Sequence, residues 1–259
     1  MKLKFILFLI IFSNFIFSQE KNYIREIFND EGVQIKFDKQ INIDNNFSKI
    51  WIQTENYNIF GIIGDDCERL RIKLISVKRN PKNHNEYFVI GKSKVKNVID
   101  DFIGKITIEK IYKTKYEYFG TDNELKNQVK LTGIIIANYQ FFENKKQKHS
   151  GKFSGKLYSK FYFDNNNNLK YDDINAHSDG YLNNAFVGNW TMYNSNISKN
   201  TKWGDYRVPL SPKDFDIGSS EFSPSDKYLN NGWQSYHDIL FTLHPNPKSL
   251  KIEKEKWWK

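Results

Sequence analysis

The chain has one cysteine, six prolines, fourteen glycines, five arginines and three alanines among 259 residues. A single cysteine cannot close an internal disulfide or build a cysteine-based zinc site. So few prolines and glycines exclude a fibrous or low-complexity chain. Three alanines argue against much helix, because alanine is the strongest helix former. Arginine is scarce although the formal net charge is +9, carried by 34 lysines. Guanine and phosphate are gripped by the arginine fork, which lysine does not supply. The enriched residues, 34 Lys, 30 Asn and 30 Ile, share AT-rich codons, so nucleotide bias accounts for the basic balance. No nucleic-acid partner is expected.

Catalytic motifs are lacking too. The five histidines (His84, His149, His177, His237 and His244) form no HExxH and no close pair. That argues against a zinc hydrolase. Neither a G-x-S-x-G elbow nor a G-x-x-x-x-G-K-[ST] loop occurs, which disfavours serine hydrolase and P-loop chemistry. No cofactor is expected. Cys67 lies in the acidic stretch Gly64-Asp65-Asp66-Cys67-Glu68. Nearby carboxylates disfavour the thiolate, so it reads as a buried structural residue.

Aromatic residues are abundant: 6 Trp, 15 Tyr and 21 Phe. A chain of this length buries roughly 70–75% of its unfolded surface and needs no metal or disulfide to hold a core. The N-terminus reads as an export signal. Lys2 and Lys4 precede an apolar run from Phe5 to Phe17, and Ser18 precedes the polar Gln19 and Glu20. Such a run is too short to span a bilayer. Cleavage after Ser18 is expected, giving a secreted or periplasmic protein with residues 19–259 as one all-β domain.

Alternation dominates that domain. From Gly151 to Asp164, Phe153, Leu157, Phe161 and Phe163 fall on one face, and Lys152, Lys156, Tyr158, Lys160 and Tyr162 fall on the other. Side chains alternate along a strand, so this is a long strand with one wet face. Val129–Phe142, Tyr87–Lys96 and Ile103–Tyr112 read as further strands, with Ile106 and Ile108 inward. Leu70, Ile72 and Leu74 keep one phase and Ile75 and Val77 shift it, which predicts a bulge. Arg79–Glu86 reads as a turn, Glu143–Ser150 as a hairpin loop, and Tyr23–Phe28 as a short helix. The expected fold is all-β, a mostly antiparallel barrel or sandwich with a loop-rich C-terminal third. A lipid-embedded barrel would also alternate. The lysines on other strands and the irregular residues 164–247 argue instead for a protein that does not span a membrane.

Charge is uneven. Residues 164–247 carry 6 basic and 10 acidic side chains, against 26 and 18 in residues 19–163. Loops on a rigid sheet are where function tends to sit. Within that acidic region Trp190, Trp203, Asp205, Arg207 and Trp233 form the candidate ligand-binding set. A Trp face can stack on a sugar ring and an Asp can accept hydroxyl hydrogens. Asp205 and Arg207 would share a face if the strand continued through them. Asp164, Asn166, Asn168 and Asp172 match positions of a calcium loop, but Leu169 stands where that loop needs Gly and Asn175 where it needs Glu. A hairpin turn is the competing reading. The carboxylates Asp172, Asp173, Asp179, Asp205, Asp214, Asp216 and Glu221 could supply a glycosidase pair, which needs two of them facing across a cleft.

The run Phe186-Val187-Gly188-Asn189-Trp190-Thr191-Met192-Tyr193 resembles the G-x-W strand of calycin-type barrels, the lipocalin and avidin relatives. The resemblance implies an antiparallel barrel in which a Trp closes one end around an apolar ligand. The Trp203-Gly204-Asp205-Tyr206-Arg207 stretch is similar to one in secreted bacterial proteins and implies no activity. The functional expectation is an exported binding module for a glycan, lipid or small apolar molecule. The alternatives are a secreted glycan hydrolase using loop carboxylates and a structural cell-envelope interaction protein.

Overall fold

A computed structural model describes residues 19–28, 35–240 and 242–259. The expected export signal, residues 1–18, lies outside the described residues. Ten strands follow in order: β1 Lys36–Ile41, β2 Ile59–Ile63, β3 Glu68–Asn80, β4 Asn83–Val95 and β5 Val98–Lys115. Then come β6 Val129–Glu143, β7 Gly151–Asp164, β8 Leu169–Tyr171, β9 Asn183–Met192 and β10 Ser198–Asp205. Every pairing is antiparallel. Hydrogen bonds run β2-β3-β4-β5-β6-β7-β9-β10 and close from β10 back to β2. The result is a ring of eight staves, with β1 beside the far half of β5 and β8 beside the end of β7. Ring closure removes the exposed edges that an open sheet would leave.

The period-2 pattern sets which side chains enter. Phe153, Leu157 and Phe161 all point into the ring. Ile106 and Ile108 do the same from β5. The register of β3 against β4 shifts between Leu74 and Ser76, where the phase of the sequence changes. Trp203 lies at the centre, stacked on Phe186 with ring centroids 4.7 Å apart and edge-on to Tyr139 at 5.2 Å. Gly155 and Gly188 face each other across β7 and β9. A Cβ on Gly188 would come within 2.6 Å of the Tyr139 hydroxyl, so the glycines make room for that ring.

The two ends of the barrel differ. At one end the segment before β2 turns inward. Phe47, Ile50 and Trp51, on or beside the short helix Ser48–Trp51, join the interior. Trp51 meets Tyr87 edge-on at 4.8 Å and donates from Nε1 to Ser159 Oγ at 3.2 Å. This plug seals that end. The hairpins β2–β3, β4–β5, β6–β7 and β9–β10 surround the other.

Two layers cover the outside. Residues 19–27 form helix α1, in the place the sequence pattern suggested. Ile24, Ile27 and Phe28 pack on Tyr112, Ile134, Ile136 and Tyr158 of β5, β6 and β7. The outer face of β7 is therefore not uniformly wet: Tyr158 and Lys160 are buried. Lys160 is accommodated over the Phe28 and Tyr181 rings at 5.0 and 4.8 Å. Residues 206–259, mostly turns with helices α2 Gln234–His237 and α3 Pro247–Lys254, cover β2 and β3. Phe215, Phe222 and Trp233 pack on Phe60 and Ile62. Glu253 of α3 accepts from Arg69 at 2.7 and 2.6 Å and from Arg71 at 2.8 Å. The loop-rich reading of the C-terminal third thus holds from residue 206 onward, whereas β9 and β10 are barrel staves. The turn expected over Arg79–Glu86 is tighter than read, because β3 and β4 run to Asn80 and from Asn83.

Candidate functional site

The unplugged end of the barrel holds a cavity of about 340 Å³. Its apolar walls are Ile63, Val95, Phe153, Trp190 and Met192, and Phe153 rests edge-on against Trp203 below, at 6.0 Å. Ser93, Asp100, Glu143 and His149 enter from β4, β5, β6 and the β6–β7 loop, with Lys96, Lys199 and Glu68 also lining it. Lys96 pairs with Glu68 at 2.9 Å. Local backbone geometry builds this arrangement. Lys96, in the left-handed region at φ +53°, turns β4 tightly into β5, and the register then sets Ser93 opposite Asp100. The β5–β6 ladder sets Phe102 opposite Glu143.

The two inner carboxylates of the mouth, Glu143 and Asp100, are held differently. Glu143 is buried and accepts from three donors: Ser93 Oγ, the Gly151 amide at 2.7 Å and Trp190 Nε1 at 2.8 Å. Burial pushes its carboxyl up; the three donors oppose that rise and Asp100 adds to it. Asp100 is 5% exposed, and among the described residues no donor reaches its Oδ1. Burial, then the neighbouring Asp101 charge, push the Asp100 carboxyl up, while His149 acts the other way. A buried acceptor without a donor costs roughly 1–3 kcal/mol. Among the described residues the Tyr139 and Thr201 hydroxyls, in the packed interior, are the other buried side-chain atoms without a partner.

The five residues expected from the sequence do not converge. Trp190 borders the mouth. Trp203 lies beneath it in the packed interior. Asp205 sits on the far side of Trp203, fully enclosed, and its Oδ2 accepts from Thr54 at 2.8 Å, Tyr171 at 2.9 Å and Asn184 at 2.7 Å. The void beside it measures about 10 Å³, room for one water molecule at most. Burial raises the Asp205 carboxyl to about 7 despite those donors. Strand β10 ends at Asp205, and Tyr206 takes a left-handed φ of +71°. Arg207 therefore leaves the face of Asp205 and binds Asp216 and the carbonyls of Gly218 and Ser219 outside the barrel. Trp233 is also outside, donating to the Cys67 carbonyl at 2.9 Å, under the Arg69 guanidinium at 4.8 Å.

The calcium-loop positions divide in the same way. Asp164 accepts from the amides of Asn166 at 2.9 Å and Asn168 at 2.8 Å, and Asn167 adopts φ +60°. This is a hairpin turn stabilised by its own carboxylate. Asp172 is buried beneath it, accepting from the Tyr116 hydroxyl and the Ile174 amide. Among the described residues no cluster of three His, Cys, Asp or Glu side chains could hold a metal ion. Of the candidate glycosidase acids, Asp172 and Asp205 are sealed, Asp214 binds Lys227 and Tyr228, and Asp216 binds Arg207. Cys67 is buried, and burial followed by the Asp214 charge pushes its thiol up to about 11.

Sequence reasoning passed over Ser93, Asp100, Glu143 and His149. A signal was present for the acids. Asp100 is in phase with the inward Phe102, Ile106 and Ile108, and Glu143 is in phase with Tyr139 and Phe141. A carboxylate on the apolar phase of a strand is an anomaly, because unpaired acids are rarely fully buried. Comparison of the chain with protein-family models, curated proteins and solved structures returns no match.

Proposed function

We propose that the chain is a binding protein that takes a small, mostly apolar molecule into the mouth of its barrel. One observation carries this reading. A hollow of about 340 Å³ lies at the unplugged end, with apolar walls and a few convergent polar groups. Ligand sites commonly have this composition, and the mouths of β-barrels are a common place for them. The proposed resemblance to calycin-type barrels agrees with it, since Trp190 of Gly188-Asn189-Trp190 borders the hollow. Export remains part of the proposal, supported by Lys2, Lys4 and the apolar run after them.

An aqueous rather than lipid setting is supported by the polarity of the wall. Interior positions are aromatic and aliphatic, whereas outward positions on β4 and β5 include Glu86, Lys92, Lys94, Asp101 and Lys105. Membrane barrels have the opposite arrangement. Among the described residues no helix is long and apolar enough to cross a membrane. One observation favours the envelope-interaction alternative: Phe88, Ile90, Ile103 and Phe142 stand exposed on neighbouring staves.

The test is a titration with small apolar molecules followed by Trp fluorescence, repeated with Met192→Trp to fill the mouth. Saturable binding that the filled variant loses, at unchanged melting temperature, is the expected result. Equal binding by the filled variant would place the ligand elsewhere.

A further inference from the structure

We infer that the ligand of the mouth is an amine: its protonated nitrogen donates to Asp100 Oδ1 while its apolar body lies against Phe153 and Trp190. This rests on the mouth being a ligand site, and it adds the chemical class. The reasoning is by complementarity. Glu143 already has three donors, so its acceptor capacity is largely committed to Ser93, Gly151 and Trp190. Asp100 is nine-tenths buried, lines the same hollow, and has an oxygen that no described donor reaches.

The charge balance points the same way. Three carboxylates line the hollow; Glu68 is paired with Lys96 at 2.9 Å, and the Asp100 charge adds to the rise of the Glu143 carboxyl. An anionic head beside them would be repelled in a poorly solvated site. A hydroxyl would satisfy the bare oxygen but bring no positive charge to it. An ammonium does both, and charge-assisted hydrogen bonds are the stronger kind. The cationic side chains lining the hollow are at its outer end in the turns: Lys96 is engaged by Glu68, and Lys199 lies on β10 next to the β9–β10 turn. Lys199 is the reason an anionic ligand must be among the probes. The aromatic walls suit either an alkyl or an aryl body, and Trp190 and Phe153 faces also attract cations.

Three probes of one shape separate the cases: octylammonium, octanol and octanoate, each titrated by calorimetry into the full chain at neutral pH. Octylammonium is expected to bind at least about 10-fold more tightly than octanol, the value of one charge-assisted bond, with octanoate weakest. Asp100→Asn, which keeps the shape of the side chain, is expected to bring octylammonium to within about 3-fold of octanol and leave octanol unchanged. Octanol or octanoate binding as tightly as the amine would overturn the amine assignment while leaving the mouth as a ligand site. No binding by any of the three would overturn both. An equal loss for all three probes in Asp100→Asn would also overturn the assignment, because it would reflect shape and not charge. The wild-type ranking decides the question even if that variant folds poorly.

Discussion

Asp100 and Asp205 are both buried carboxylates inside one barrel, on opposite sides of Trp203, and their surroundings differ. Asp205 has three donors on one oxygen and a void of about 10 Å³ beside it. Asp100 has an oxygen without a described donor and a hollow of about 340 Å³. The first arrangement ties four segments together: Thr54 before β2, Tyr171 of β8, Asn184 of β9 and Asp205 of β10. The second leaves a buried acceptor without a described donor beside the hollow that the proposed ligand would fill. Burial is common to both; the count of donors and the space beside the oxygen separate them, and the proposed function rests on that difference.

Removing the partition between the two sites gives the largest expected effect. Trp203→Ala should destabilise the fold by about 3–5 kcal/mol, the usual loss for a buried aromatic replaced by alanine. Denaturant unfolding measures the loss, and added indole should restore part of it by filling the space. Next, the acids should respond with opposite signs to replacement by leucine. Asp205→Leu strands Thr54, Tyr171 and Asn184 and should cost about 2–4 kcal/mol, whereas Asp100→Leu strands no donor and should stabilise by about 1 kcal/mol. Equal destabilisation by both would erase the distinction.

The pH dependence sharpens it further. Asp205 holds its proton up to about 7 in the folded chain, above the usual carboxylate value. The folded state thus binds that proton more tightly than the unfolded chain does. Its contribution is most favourable below about pH 4, declines as pH rises toward 7 and is constant above, a change on the order of 4 kcal/mol. Asp205→Asn should flatten the thermal stability profile across that window. Asp172 and Glu143 are raised by burial in the same direction, so some decline should persist. Glu253 acts oppositely: burial would raise it, but Arg69 and Arg71 hold it below the ordinary range. The smallest effect concerns occupancy alone. Met192→Trp should leave the melting temperature within a few degrees and abolish binding in the mouth, because the added ring extends into existing space.

The barrel was legible in the sequence wherever period 2 was uninterrupted. Gly151–Asp164 is β7 from end to end, and the phase shift at Ile75 is the β3 bulge. Alternation could not show that α1 covers Tyr158 and Lys160, because a tyrosine, or a lysine over aromatic rings, reads as wet in either case. It also could not show which end of the barrel is plugged, since Phe47 and Trp51 precede the first stave of the ring. The tryptophans were read as binding platforms, yet Trp203 and Trp233 are interior mass. Tyr206, by turning the chain, separates Asp205 from the Arg207 two residues later. The mouth is assembled from four hairpins far apart in sequence and exists only once β10 closes on β2. No local motif encodes it, and its one sequence trace is the pair of acids on apolar phases.

The most direct measurement is fluorine NMR of the chain carrying 5-fluorotryptophan, with octylammonium added stepwise. The Trp190 resonance, assigned with Trp190→Phe, should shift saturably while that of Trp233 stays fixed. A shift of Trp233 with Trp190 unmoved, or no shift at all, would contradict a ligand site in the barrel mouth.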